Sequence, residues 1–159
     1  MAQAILKQRH LATTAWICLL ITGSVLLISL SAQFVFRIKP CTLCVAQRIP
    51  YCVLMIVLPY LFSRKWARYG LVVIPVTLAT SCTLALYHLL VIAGLLPDSC
   101  IVPNAPQTIE QFQNMLDAPL PCSISTWKFL GVPMAGYNLI VSATMLIFVL
   151  LRFNALRKS

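Results

Sequence analysis

The sequence predicts an all-α integral membrane protein, a bundle of four membrane-spanning helices with one long outer loop. Of the 159 residues, 60% are hydrophobic and only 9% are charged, whereas soluble domains carry about 25% charged residues. Four apolar segments approach or exceed the roughly 20 residues that cross a bilayer as a helix. These segments are residues 14–34, 44–62, 70–96 and 131–151. We therefore expect one membrane domain over residues 1–159, with loops 35–43 and 97–130 on the same side of the membrane.

The four segments differ in regularity. The first is a long apolar run near the N-terminus; a cleavable signal peptide is the alternative, and the three later segments disfavour it. The second is the least regular because it contains one arginine and two prolines.

The basic residues predict the orientation of the bundle. Eight of them fall on one side of the predicted spans: Lys7, Arg9, Arg64, Lys65, Arg68, Arg152, Arg157 and Lys158. The opposite loops contain only three, together with all three acidic residues. Because lysine and arginine concentrate on the cytoplasmic side, we expect both termini in the cytoplasm. The net charge of +9 therefore reflects topology, and nothing outside these short flanks indicates nucleic-acid binding.

Seven cysteines divide into two groups by predicted depth. Three fall inside apolar segments, where a free cysteine usually serves as a small buried hydrophobic residue: Cys18, Cys52 and Cys82. Four fall on or at the outer side: Cys41, Cys44, Cys100 and Cys122. Four cysteines in a compartment where disulfides persist indicate two disulfide bonds, and three pairings are open.

The Cys41-x-x-Cys44 motif stands where the first outer loop meets the second span. In the first turn of a helix, unpaired N–H groups and the helix dipole favour the thiolate form of Cys44. Arg48 follows four residues later and shares a helix face with Cys44. An arginine inside the membrane is a functional candidate by default; the alternative is that Arg48 snorkels to lipid headgroups.

Other uses of the four outer cysteines fit less well. A zinc site would need Cys100 and Cys122 as one ligand pair, but 21 residues separate them, unlike the short knuckles of zinc sites. A covalent haem site would need histidine where Val45 stands. We therefore expect no metal, and a purely structural disulfide remains the alternative to a redox role.

The second outer loop, residues 97–130, is the only long hydrophilic segment, and five prolines discourage regular structure in it. Residues 107–117 place Ile109, Phe112, Met115 and Leu116 at helix-like spacing. A short amphipathic helix in the membrane surface is one interpretation. An apolar patch folded onto the end of the bundle is the other.

These features together resemble the DsbB family, the disulfide bond formation proteins of bacterial inner membranes. The resemblance covers nearly the whole chain, from the four spans to the second cysteine pair in the long loop. Its motifs are Pro40-Cys41-x-x-Cys44-x-x-Gln47-Arg48, Tyr87-His88 late in the third span, and Cys122-x-x-x-x-Trp127-x-Phe129-Leu130-Gly131-x-x-Met134.

The resemblance implies a thiol oxidase that passes electrons from a periplasmic DsbA-like protein, of thioredoxin fold, to a membrane quinone, either ubiquinone or menaquinone. The partner would attack a Cys100–Cys122 disulfide at Cys100. Cys122 would then attack Cys41 and release Cys44, which donates to the quinone. Arg48 would stabilise charge on a reduced quinone oxygen.

The role of His88 is open. It would either contact a quinone oxygen or pack against a neighbouring helix through a hydrogen bond to backbone or hydroxyl groups.

Two alternatives from other classes remain. An enzyme resembling vitamin K epoxide reductase also has four helices, but it usually differs in the order and spacing of its cysteine pairs. A non-catalytic tetraspan scaffold would use its disulfides only to staple loops.

Overall fold

Four membrane-length helices dominate the computed structural model, which describes residues 2–62, 67–98, 100, 108–109, 121–123 and 128–158. Long apolar stretches within them meet the length and hydropathy of membrane spans: Arg9–Phe34, Thr42–Tyr60, Tyr69–Ile92 and Met134–Ala155. The predicted all-α membrane fold with four spans is confirmed. The candidate amphipathic helix at 107–117 lies almost wholly outside the described residues.

The elements follow one another in the order that the apolar segments predict. The helices are α1 (Ala2–Phe34), α2 (Thr42–Ala46), α3 (Arg48–Val57), a 3-10 helix (Leu58–Phe62), α4 (Ala67–Ile92) and α5 (Met134–Lys158). Two short strands, β1 (Lys128–Phe129) and β2 (Val132–Pro133), precede α5. We call the end where α1 and α4 finish and α2 and α5 begin the loop end of the bundle.

Prolines divide the second span. Pro50 has no N–H to donate to the carbonyl of Ala46, four residues earlier, and the helix is interrupted between them at Gln47. Pro59 removes a second donor, and there the chain tightens into the 3-10 helix. The sequence indicated the irregularity of this span but not the position of its breaks.

Several helix ends differ from the predicted bounds, and local turns explain two of these differences. Helix α4 ends at Ile92 because Gly94, at φ +73°, closes a Schellman turn in which Leu95 N–H donates to Leu90 C=O over 2.9 Å. Helix α5 begins at Met134 because β1 and β2 form a hairpin first. Its two-residue turn, Leu130-Gly131, has positive φ at both positions, as a type I′ turn requires.

The main core lies between all four spans. It is formed by Ala15, Cys18, Tyr51, Leu54, Leu58, Ile74, Leu78, Met145 and Val149. Cys18 is buried as predicted, but Cys52 is exposed and Cys82 only half-buried. The prediction that all three lie in the core was therefore wrong, since hydropathy marks a span without showing which face of its helix meets lipid.

Candidate redox site at the loop end

A second, smaller buried cluster at the loop end contains both outer cysteine pairs. Its buried members are Cys41, Val91 and Cys122, and the half-buried side chains against them include Cys44 and Cys100. Two segments far apart in sequence thus bring all four predicted redox cysteines together. The arrangement allows thiol–disulfide exchange between the pairs, because such exchange needs one sulfur to reach another.

Helix α2 fixes the geometry of the first pair. Cys41 is the N-cap residue, in extended conformation at φ −78° and ψ 167°, and its Sγ accepts a hydrogen bond from Cys44 N–H over 3.2 Å. The Sγ atoms of Cys41 and Cys44 lie 2.6 Å apart, so a small shift closes a disulfide of about 2.05 Å. The hydrogen bond to the Cys44 side chain, together with burial, raises the pKa of the Cys41 thiol to about 12. Cys41 therefore keeps its proton when the pair is reduced.

The second pair forms a disulfide, Cys100–Cys122, with Cα atoms 5.8 Å apart. Of the three pairings that the sequence left open, this one is present, while Cys41 and Cys44 are thiols. Cys122 is fully buried and Cys100 is half-buried. An attacking thiolate therefore reaches Cys100 more readily than Cys122.

Asp98 clamps the two backbone segments that carry this disulfide. One carboxylate oxygen accepts from Cys100 N–H over 3.0 Å and the other from Ser123 N–H over 2.8 Å. Burial raises the pKa of Asp98, but hydrogen bonds from Ser123, Cys100 and Cys122 outweigh it and hold that pKa below its usual value. Sequence reasoning counted Asp98 only as an acidic loop residue. The signal was present in Asp-x-Cys, since aspartate often accepts from the backbone N–H two residues on.

Arg48 faces the same region from the first turn of α3. Its Nη1 donates to Gln33 Oε1 in the last turn of α1, which holds the guanidinium against that helix. Its Nε is buried and has no hydrogen-bond partner within the described part of the chain. An unsatisfied donor of this kind is costly. The Nε–H group is therefore a candidate to donate to a ligand oxygen.

His88 on α4 is buried between the first cysteine pair and a set of amides. Its Nε2 lies 3.7 Å from Cys41 Sγ and its Nδ1 lies 3.0 Å from Gln47 Nε2. Asn138 Nδ2 donates to Gln47 Oε1 over 2.9 Å, and Tyr51 donates to Asn138 Oδ1. Sequence reasoning gave no role to Gln47, Asn138 or Tyr51. Their polarity inside apolar spans was the available signal.

An apolar cavity of about 510 Å³ opens beside Cys44. Its volume lies in the range of small-molecule sites. The walls are mostly apolar, and α1 and α5 contribute aliphatic side chains to them, among them Val25, Leu26, Ile28, Met134 and Val141. The polar groups on its lining include Cys44, Arg48, His88, Gln33 and Asn138. The cavity therefore places an apolar volume next to Cys44 of the redox pair and next to the positively charged Arg48.

Metal binding fits this site poorly. Cys41, Cys44 and His88 can each present a ligand atom, all within 4.8 Å of one another. However, thiolates on one zinc ion stand about 3.8 Å apart, whereas these Sγ atoms are separated by 2.6 Å. Cys100 and Cys122 are joined to each other, so in this state they cannot complete the four-thiolate zinc site considered from the sequence.

The family model described as "Disulfide bond formation protein DsbB" matches residues 11–152. The chain belongs to the DsbB family. An uncharacterized protein of Rickettsia prowazekii (strain Madrid E) is 35% identical over 140 residues, which is 82% of this chain and 81% of the relative. The disulfide bond formation protein B of Histophilus somni (strain 129Pt) is 27% identical over 169 residues, covering 96% of this chain and 92% of the relative. No solved structure gave a significant match.

Membership of the DsbB family, together with four membrane-length helices, makes this chain a multi-pass membrane protein that forms disulfide bonds. It is a disulfide oxidoreductase. The resemblance stated from the sequence motifs is confirmed.

Proposed function

We propose that this DsbB-family protein is a thiol:quinone oxidoreductase that reoxidises a periplasmic DsbA-like dithiol protein. The observation that carries the proposal is the single cluster containing both cysteine pairs, with Cys44 at its edge lining the apolar cavity. One side of the cluster is reached through Cys100 and the other through the cavity. A path for electrons from a soluble thiol to a lipid-dissolved acceptor needs these two entrances.

The burial of the sulfurs supports an order of attack. A partner thiolate bonds to the half-buried Cys100 and breaks the Cys100–Cys122 bond, so that Cys122 leaves as a thiolate. Cys122 then bonds to Cys41 and breaks the Cys41–Cys44 disulfide of the oxidised enzyme. Cys44 leaves with the electron pair of that bond. The partner's second thiolate attacks the partner sulfur of the mixed disulfide, which oxidises the partner and releases the Cys100 thiolate. That thiolate attacks Cys122, so that the Cys100–Cys122 disulfide re-forms and Cys41 leaves as a thiolate. Cys41 and Cys44 then give two electrons to the acceptor and close their disulfide again.

The cavity fits a quinone. Its aliphatic walls suit a ring and an isoprenoid tail. The buried Arg48 Nε, which has no hydrogen-bond partner among the described residues, suits a quinone oxygen. When bound, a quinone supplies the two-electron acceptor for Cys44. Arg48 then holds the oxygen end and stabilises the negative charge that develops there. The apolar walls exclude water from the transfer.

The site also supports a location. With the basic flanks in the cytoplasm, the loop end faces the periplasm of a bacterial inner membrane, where a DsbA-like partner reaches Cys100. Residues 1–159 then act as one membrane domain, because the two entrances, Cys100 and the apolar cavity, belong to the same bundle.

A cysteine variant tests the proposal. Membranes carrying Cys44→Ser should not reduce added ubiquinone or menaquinone when supplied with a reduced DsbA-type protein, whereas wild-type membranes should. Cys52→Ala is the matched control, because Cys52 is an exposed thiol on the same span, and it should keep wild-type turnover. Full turnover in Cys44→Ser would show that the chain is not an oxidase of this kind and would favour a scaffold.

A further inference from the structure

The amide groups behind His88 form a series in which each donor meets an acceptor. Gln47 Nε2 lies 3.5 Å from the backbone carbonyl of Leu84, and a carbonyl can only accept. This contact favours the NH₂ nitrogen of Gln47 on that side. Its oxygen consequently faces Asn138, which donates from Nδ2 over 2.9 Å and accepts from Tyr51 at Oδ1.

This arrangement determines which nitrogen of His88 carries the proton. Gln47 Nε2 donates to His88 Nδ1 over 3.0 Å, so Nδ1 acts as the acceptor. In a neutral imidazole the other nitrogen then carries the hydrogen. That nitrogen, Nε2, lies 3.7 Å from Cys41 Sγ, within reach of a hydrogen bond to sulfur.

We propose that Gln47, held by Asn138, is a positioning residue that fixes the Nε2–H tautomer of His88 so that His88 donates to Cys41. The proposal rests on the redox role of the Cys41–Cys44 pair in the proposed function. In the reduced pair, Cys41 S–H donates in turn to Cys44, whose sulfur is 2.6 Å away. Every donor in the series Asn138, Gln47, His88 and Cys41 thus points toward Cys44, and aligned hydrogen bonds of this kind strengthen one another.

The consequence is a bias toward the reduced pair. When a dithiol such as dithiothreitol reduces the disulfide, the Cys41–Cys44 bond breaks and the two sulfurs together gain two electrons. Dithiothreitol supplies these electrons and closes as its own disulfide. A thiol or thiolate accepts hydrogen bonds better than a disulfide sulfur does. Donation from His88 therefore stabilises the reduced form and makes the pair a stronger oxidant. We expect an effect of about tenfold on the exchange constant, close to the net contribution of one hydrogen bond, which equals about 30 mV for two electrons.

Nitrogen NMR on the intact protein tests the tautomer directly. The chain has two histidines, so His10→Gln leaves the His88 signals alone in ¹⁵N-histidine-labelled protein in lipid nanodiscs. The cysteine pair is reduced and no quinone or partner is added. The expected spectrum shows a protonated Nε2 and an unprotonated Nδ1. A proton on Nδ1 would overturn the proposal without the use of any site variant.

Gln47→Met then tests the role of the amide. We expect a mixture of His88 tautomers and a Cys41–Cys44 exchange constant with dithiothreitol shifted about tenfold toward the disulfide. Asn138→Leu, one step further from His88, should shift both readouts in the same direction, which keeps the test open if Gln47→Met does not fold. Thr144→Ala is the control on α5, since Thr144 is exposed and, among the described residues, its hydroxyl donates only within its own helix, to Ile140 C=O.

A folded Gln47→Met protein with an unchanged tautomer, or with an unchanged exchange constant, would contradict the proposal. Both readouts are taken without quinone and without partner. A failure of quinone reduction would therefore count against the proposed function and leave this inference standing. An unchanged tautomer or exchange constant in Gln47→Met would count against this inference and leave the proposed function standing.

Discussion

Cys41 and Cys122 lie in one buried cluster at the loop end, although one caps the second span and the other belongs to the long second loop. Only about 3% of the Cys41 surface and none of Cys122 is exposed. A thiolate released at Cys122 therefore has Cys41 as a neighbouring target and little access to solvent. Under the proposed function, transfer between the pairs therefore takes place inside the protein.

Removal of Cys122 should trap the partner. In Cys122→Ser, Cys100 is left as a thiol, and its thiolate attacks the disulfide of an oxidised DsbA-type protein, bonds to one partner sulfur and releases the other as a thiolate. No neighbouring Cys122 can resolve this mixed disulfide, so it should accumulate when the released partner thiolate is alkylated. Non-reducing electrophoresis with mass spectrometry of the linked peptides measures it. The matched variant Cys100→Ser should give no adduct at position 122, because Cys122 is fully buried. A partner linked to Cys122 instead would refute the order of attack.

Arg48 should control the reaction with quinone. We expect Arg48→Gln to lower kcat/KM for quinone by about 100-fold, the usual effect of losing a donor to developing negative charge. Steady-state reduction of quinone in nanodiscs measures it. Arg37→Asn removes a positive charge from the preceding loop, where residue 37 has a positive φ of 51° that asparagine tolerates. This control should keep wild-type kinetics, and an equal loss in both variants would point to surface charge instead.

Asp98 should make the disulfide loop sensitive to acid. Its pKa is lower when folded than when unfolded, so its stabilisation is fully present above the unfolded value of about 3.9. That stabilisation is lost as the pH falls through the folded value. Hydrogen exchange at the amides of Cys100 and Ser123, measured from pH 6 downward to about pH 3, should accelerate relative to intrinsic rates at the acid end. Asp98→Asn should exchange faster at pH 6 and show less pH dependence; wild-type behaviour in this variant would contradict the clamp.

Gly136 should be intolerant of a side chain. A Cβ at this buried position would lie 2.7 Å from Val132 Cγ1 in the hairpin that precedes α5. Overpacking of this kind costs about 1–3 kcal/mol, so Gly136→Ala should lower the thermal midpoint in detergent. The double variant Gly136→Ala/Val132→Ala removes the clashing methyl group and should recover much of the loss. An unchanged midpoint in the single variant would contradict this packing.

Hydropathy was sufficient to predict the four spans, because each helix crossing a membrane needs its own long apolar segment. The grouping of Cys41, Cys44, Cys100 and Cys122 followed from their sides of those spans. The disulfide pairing could not be worked out from spacing alone, since it depends on how the second loop folds back onto α2.

The contacts of His88 were also beyond prediction from the sequence. They require Gln47, at the break between α2 and α3, to meet residues of α4 and α5 at one depth. The position of that break depends on Pro50, three residues later. How the break rotates α3 relative to α2 depends on the packing of the whole bundle. For the same reason the sequence did not show that Cys52 is exposed.

Anaerobic stoichiometry shows whether electrons from partner thiols reach a quinone through this protein. Purified protein with one equivalent of bound quinone is mixed with excess reduced DsbA-type protein, and quinone absorbance and partner thiols are followed together. The two cysteine pairs of the enzyme should first oxidise partner molecules with their own stored equivalents. Beyond these, we expect one partner disulfide to form for each quinone that is reduced. Cys44→Ser should reduce no quinone. Quinone that stays oxidised while the wild-type cysteine pairs become fully reduced would contradict the proposed function.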